Sequence, residues 1–291
     1  MTLDGFDAVA RTALLTTALR TRESARPDRL YDDPFAHALA GDVGQALLDE
    51  VAGMSLPQND ADDHSKLPST LDYNAIRTRF FDDWLTTAVA EGGFDQVVIA
   101  AAGMDTRAYR LTWPHPVQIY EIDRPGVLDF KQASLAEHTP AHNVTRILVR
   151  SDLLANDWRA DLITAGFDPD RPAVWLLEGL LYYLPEPSVH ELLAQLGEVC
   201  VPGSALACDL INEVTLTSPL TRKLIQLYAD WGSPWLSGSD GPETLMATHG
   251  FDASATQPGE PGASYDRWRD AVIARDVPNI PRVFLVHGTR V

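Results

Sequence analysis

The chain has only two cysteines, Cys200 and Cys208, in 291 residues. That excludes a disulfide framework, and their apolar neighbourhoods point to buried thiols in a reducing compartment. Basic charge is also short, with 23 Lys and Arg against 41 Asp and Glu and a formal charge of −18. Such a surface repels nucleic-acid backbones and anionic lipid, so neither nucleic acid nor membrane is an expected partner, although a local basic pocket stays open to a small metabolite. No apolar run is long enough to cross a bilayer. Asp4 and Asp7 stand ahead of the first apolar residues, where a secretory signal has a basic start, so a cytoplasmic location is expected. The histidines form no Cys/His grouping at ligand spacing, and no metal site is expected. Neither G-x-G-x-x-G nor G-x-x-x-x-G-K-[ST] occurs, which removes the usual cradles for a pyrophosphate.

What is present is a 45% hydrophobic chain without a linker-like tract, so a single domain over 1–291 is expected. Its parts are N-terminal helices and cap (1–92), a cofactor-binding core (93–211), an insertion (212–250) and the C-terminal end of the sheet (251–291). Apolar spacing predicts a helix over 4–22 with Asp4 as N-cap, a short helix closing at Gly41, another over 42–52, and one over 71–90. The polar, acidic stretch 54–70 between them reads as a mobile loop. After Gly92-Gly93 the texture changes. QVVIAAAG (96–103), VQIYEID (117–123), NVTRILVR (143–150) and PAVWLLEG (172–179) are short, nearly continuous apolar runs, as in strands covered on both faces. Helical segments separate them, so a doubly wound, mostly parallel α/β sheet of Rossmann-like type is predicted. A helix over 187–200, a strand over 204–211, helices over 218–231, from Glu243 and near 264–275, and a last strand over 282–289 complete the expectation. The segment 231–242, rich in Gly, Pro, Ser and Trp, reads as a second mobile piece.

Open parallel sheets bind ligands beyond the carboxyl ends of their strands. The four core strands end at Ala101-Ala102-Gly103, Asp123, Ser151-Asp152-Leu153 and Glu178-Gly179. Gly103 permits close approach of a ligand, and Asp123 follows it by 20 residues, the interval at which an acid can hold two ribose hydroxyls. This marks a nucleoside without separating NAD(P) from S-adenosylmethionine (SAM). SAM lacks phosphate and carries a sulfonium, an ammonium and a carboxylate, so acids plus a fixed cation complement it. Asp152 and the Leu153 amide suit the adenine, Glu178 the methionine ammonium, and Arg79 the methionine carboxylate.

RTRFFDDWL (77–85), VVIAAAGMDTRAYRL (97–111), YEID (120–123), SDLL followed by DW (151–158) and EGLLYYL (178–184) together resemble the leucine carboxyl methyltransferase family. More narrowly they are similar to its actinobacterial branch of SAM-dependent and polyketide O-methyltransferases, from DDPFA (32–36) to PRVFLV (281–286). The resemblance implies a class I methyltransferase fold with SAM as cofactor. It gives Arg79 the cofactor carboxylate, Gly103 the methionine, Asp123 the ribose, Asp152 and Leu153 the adenine, and Glu178 the methionine end. It also implies a lid made of the N-terminal helices and 212–250. The chain departs from the family at Ala101-Ala102, where Gly is frequent, and at Tyr182, where Met is frequent.

Each residue has a plainer role open to it. Gly103 can be a strand-end turn, Asp123 a helix cap before Pro125, Arg79 a surface partner of Asp82 or Asp83, and Arg107 a helix-surface residue. Tyr182 and Tyr183 are the candidates to touch a methyl acceptor, with aromatic core packing as the alternative. His64, His115 and His249 are open as bases. The expected activity is O-methylation of a carboxylate or hydroxyl on a small molecule. An NAD(P)-dependent oxidoreductase, a non-catalytic SAM-binding protein and a methyltransferase for protein C-termini are the competing readings.

Overall fold

The computed structural model describes residues 8–53, 70–155, 157–268 and 271–291. Asp4, His64 and most of the 54–70 stretch lie outside these. Helices α1 (Ala8–Ser24) and α2 (Ala36–Gly53) pack on each other, and α3 (Thr70–Gly92) follows. The two short helices expected on either side of Gly41 both form and share the label α2, parted by a kink where Gly41 holds φ 53° and ψ −167°, outside helical space. The core then alternates β1 (Gln96–Ala100), α4 (Arg107–Arg110), β2 (Val117–Asp123), α5 (Pro125–Ser134), β3 (Val144–Arg150), α6 (Trp158–Thr164), β4 (Val174–Leu177), a 3-10 turn at Leu181–Tyr183, α7 (Glu186–Val199) and β5 (Ala205–Ile211). Helices α8 (Glu213–Thr217), α9 (Arg222–Asp230) and α10 (Pro242–Thr248) lead to β6 (Phe251–Thr256) and β7 (Val283–Arg290).

The seven strands lie in the order β3-β2-β1-β4-β5-β7-β6. Strands β1 to β5 are parallel, and β7 runs antiparallel to both β5 and β6. Period-2 geometry sends alternate side chains to opposite faces. Val97 and Ile99 of β1 join Ile119 and Leu176 in a core beneath α1–α3, while Val98 and Ala100 join Tyr120, Trp175 and Leu177 in a second core beneath α6 and α7. Burial on both sides explains why these strands read as unbroken apolar runs. The order runs outward in both directions from the β1/β4 pair, so a crevice opens there at the strands' carboxyl ends.

Three expectations are corrected. Six strands were expected and seven form, the extra one being β6, whose FDASAT sequence has mostly small or polar residues and occupies a half-exposed sheet edge. No helix forms among the described residues near 264–275: Tyr265 and Asp266 take left-handed φ of 51° and 56°, and Arg267 is drawn to Glu23 at 2.9 and 3.1 Å. The helix expected over 218–231 forms only from Arg222 to Asp230 as α9, and a separate short helix, α8, which was not expected, precedes it and stops at Thr217 ahead of Pro219, which has no amide to continue it.

Candidate cofactor site

A cavity of about 370 Å³ opens at the carboxyl ends of β1, β2, β3 and β4, within the usual range for small-molecule sites. Gly103, Asp123, Asp152, Leu153, Glu178, Tyr182 and Tyr183 all line it. Between β1 and α4 the backbone turns sharply, with Ala101 at φ 55° and Gly103 at φ 43°. This turn is clasped to β2, since the Gly103 amide donates to Asp123 Oδ2 at 2.7 Å and the Arg124 amide to Oδ1 at 2.7 Å. Burial raises the Asp123 pKa above the usual carboxylate value, with these two amides acting against it. Each Asp123 oxygen keeps lone-pair capacity beyond its amide. Asp152 is exposed at the end of β3 and accepts from the Leu154 amide at 2.9 Å, and Leu153 is buried beside it.

Glu178 ends β4 and is gripped from both sides, by Arg77 Nε at 2.9 Å and Arg107 Nη2 at 2.7 Å. Burial alone would raise its pKa, but the guanidinium groups of Arg107 and Arg77 outweigh that and hold it below the ordinary value. The network extends through both arginines. Arg107, 2% exposed, also pairs with Asp82 at 2.7 Å and with Asp105, while Arg110 holds Asp82 through two bonds of 2.6 and 2.8 Å. Arg77 reaches Asp209 at 2.8 Å and the Tyr182 hydroxyl at 3.1 Å. Asp209 is wholly buried in β5, where it also accepts from Tyr73 Oη at 3.0 Å and the Gly179 amide at 2.6 Å. Arg20 of α1 closes another wall, donating to the Met104 carbonyl at 2.6 Å and to Asp33 at 2.9 Å. Along the cavity wall the carboxylates of Asp105, Asp123, Asp152 and Glu178 alternate with the guanidinium groups of Arg20, Arg77, Arg107, Arg110 and Arg124, while Asp33, Asp82 and Asp209 hold several of those arginines from behind.

Arg79 is not brought to this cavity. It pairs with Asp83 at 2.8 Å with both side chains more than 40% exposed, donates to the Leu30 carbonyl and lies over the Tyr265 ring. Helix geometry separates the two arginines. Arg77 stands three residues before Phe80 and seven before Trp84, on one helix face, whereas Arg79 is offset by about 200° around the axis. Arg107, for which a surface role was open, is among the most buried side chains. Asp209 escaped sequence reading altogether, although a carboxylate within the apolar run ALACDLI was a visible anomaly. His115 lies near the Val89 carbonyl, and His249 contacts His190 at 2.9 Å; neither lines the cavity.

A second cavity of about 180 Å³ adjoins the first, the two sharing Thr16, Arg77, Tyr182 and Tyr183 as walls. Trp235, from the 212–250 insertion, packs on Tyr182 with ring centroids 4.8 Å apart, and the Leu236 amide donates to the Tyr182 carbonyl at 2.7 Å.

The seven-stranded, mostly parallel order with an antiparallel β7 is that of the class I SAM-dependent methyltransferase fold. A crystal structure from Thermobifida fusca YX, of a protein assigned as a methyltransferase, shares this fold, with a TM-score of 0.55 at 19% identity over 91% of this chain and 94% of that one. The leucine carboxyl methyltransferase model matches residues 13–197, and the chain belongs to that family. A protein from Parafrankia sp. (strain EAN1pec), assigned as an SAM-dependent methyltransferase, is 36% identical over 85% of this chain and 78% of its own length. Another from Mycobacterium ulcerans (strain Agy99), likewise assigned, is 41% identical over 71% of this chain and 65% of its own length.

Proposed function

We propose that this protein transfers the methyl group of SAM to an oxygen, carboxylate or hydroxyl, of a small molecule. The observation that carries the reading is the pair of adjoining cavities, one walled by strand-end acids and one by aromatic rings, meeting at Arg77, Tyr182 and Tyr183. The residues of the first fit SAM. The Asp123 carboxylate takes the ribose hydroxyls with its remaining lone pairs, Asp152 takes the adenine amino group beside the Leu153 amide, and the Gly103 turn lies along the methionine. Glu178 faces the ammonium, and Arg77 takes the part that the family resemblance gave to Arg79 at the methionine carboxylate.

When bound, SAM supplies a methyl group on a positively charged sulfur, open to attack by an oxygen lone pair. The protein's task is then alignment and exclusion of water. The tied guanidinium network keeps the wall between the cavities rigid, and the Tyr182, Tyr183 and Trp235 rings cover the junction. The family's name supports carboxyl oxygen as one acceptor class.

The test is calorimetric titration of Asp123→Ala and Asp152→Ala with S-adenosylhomocysteine (SAH). Loss of charge-assisted hydrogen bonds of about 1.5–3 kcal/mol each predicts weakening of about ten- to a hundredfold in each variant. Parent-like affinity in both removes the site assignment.

A further inference from the structure

Resting on the methyltransferase reading above, we infer that the acceptor is a neutral, planar aromatic compound methylated at a hydroxyl group, and that it binds in the second cavity. Six aromatic side chains wall that space: Tyr73, Tyr182, Tyr183, Tyr228, Trp235 and Trp268. Three of them pack closely at a tilt, with Trp235 centred 4.8 Å from Tyr182 and 5.2 Å from Tyr228 and the ring planes 54° and 38° apart. An apolar cavity of about 150 Å³ holds benzene, so about 180 Å³ beside an open junction takes one or two fused rings.

The polarity of the junction selects the functional group. Tyr73, which lines the cavity, spends its proton on Asp209 at 3.0 Å and sits beside Arg77, so toward a ligand its hydroxyl oxygen can act only as an acceptor, through a remaining lone pair. Tyr182 accepts from Arg77 at 3.1 Å and donates to none of the described residues, so its proton is left for a ligand. A hydroxyl satisfies both, donating to Tyr73 and accepting from Tyr182. As its oxygen attacks the SAM methyl carbon the O–C bond forms, the S–C bond breaks to leave SAH, and the hydroxyl proton passes to Tyr73 while the proton of Tyr73 moves to Asp209. A carboxylate only accepts, and would turn lone pairs toward the Tyr73 oxygen. It would also find little free positive charge in the loaded protein, since Arg77 is shared among Asp209 at 2.8 Å, Glu178 at 2.9 Å and the methionine carboxylate assigned to it above. Arg282, the cavity's other cation, is turned to the carbonyl oxygens of Ala274, Val277 and Ile280, which hold the 271–282 segment in place. Burial and Asp209 push the Tyr73 hydroxyl pKa up, and burial and Asp209 do the same for Tyr182, in keeping with a junction that disfavours added negative charge.

The experiment compares two isosteric probes, 2-naphthol and 2-naphthoate, by calorimetry on the SAH-loaded protein at neutral pH. The inference predicts that 2-naphthol binds at least about tenfold more tightly. In Tyr73→Phe, which removes the accepting oxygen from a residue outside the first cavity, the preference falls to within about threefold while SAH still binds. Equal or tighter binding of 2-naphthoate overturns the inference, as does failure of both probes to bind SAH-loaded protein at about 1 mM, or a preference unchanged in Tyr73→Phe. Failure of SAH itself to bind overturns the methyltransferase site on which the inference rests, and is read before either probe is added.

Discussion

Asp209→Asn removes one negative charge from the middle of the protein and little else. In the parent the carboxylate is fully buried and accepts from Arg77, Tyr73 and the Gly179 amide. Asparagine keeps one acceptor oxygen, enough for the Gly179 amide, but presents N–H groups where the Arg77 and Tyr73 donors point. Arg77, 5% exposed, is then left with Glu178 as its sole carboxylate partner. Breaking a buried ion pair by removing one partner costs about 3–5 kcal/mol. The shared guanidinium contact with Glu178 offsets part of this, so about 3 kcal/mol is expected, and for a domain of this size about 6–12 °C in melting temperature. Differential scanning calorimetry on parent and variant measures it, with SAH affinity measured alongside because Glu178 and Gly179 line the cofactor cavity. A melting temperature within about 2 °C of the parent, with unchanged SAH affinity, refutes the claim that Asp209 anchors the wall between the two cavities.

Other consequences are as direct. Arg77→Ala should abolish measurable SAH binding, whereas Arg79→Ala, at an exposed pair with Asp83, should leave it intact and change stability by less than about 1 kcal/mol; the opposite ranking in a titration would restore Arg79 to the site. Acid should unfold the network in a defined window. Asp105 has its pKa lowered from 3.8 to about 2, where burial is outweighed chiefly by Arg107, and Glu178 is also held low. Groups with depressed folded pKa values stabilise fully above their unfolded values and lose that stabilisation as pH falls through the folded ones. A melting-temperature profile should therefore fall steeply between about pH 4.5 and 2, and Asp105→Asn should flatten it; a parallel profile in the variant counts against the assignment. SAH affinity should fail earlier on acidification, because Asp123 has its pKa raised and loses its charge above the normal carboxylate range. SAH affinity constant down through pH 4 would contradict this.

The parallel core was legible because its central strands are buried on both faces and so spell continuous apolar runs, as in VVIA and VWLL, whereas β3 at the sheet edge is mostly half-buried and carries Thr145 and Arg146. Their ends were legible for a related reason: Gly103, Asp123 and Glu178 break apolar runs at one edge of the sheet. Strand β6 escaped because FDASAT lies at a half-exposed edge and shows no such run. The region near 264–275 looked helical because local sequence does not show a tertiary ion pair, and Arg267 is spent on Glu23, 244 residues away. The same reason hid the guanidinium network. Arg77 and Arg79 are alike in RTRFF and differ in helix face, but it takes the partners after β4 and on β5 to show that the inward face carries the buried, paired arginine.

The central claim, that the strand-end acids form an SAM site, is tested most directly by calorimetric titration of the parent protein with SAH, beside NADH. The account predicts saturable binding of SAH at one site per chain and none of NADH. Folded protein that binds no SAH, or that binds NADH instead, would contradict it.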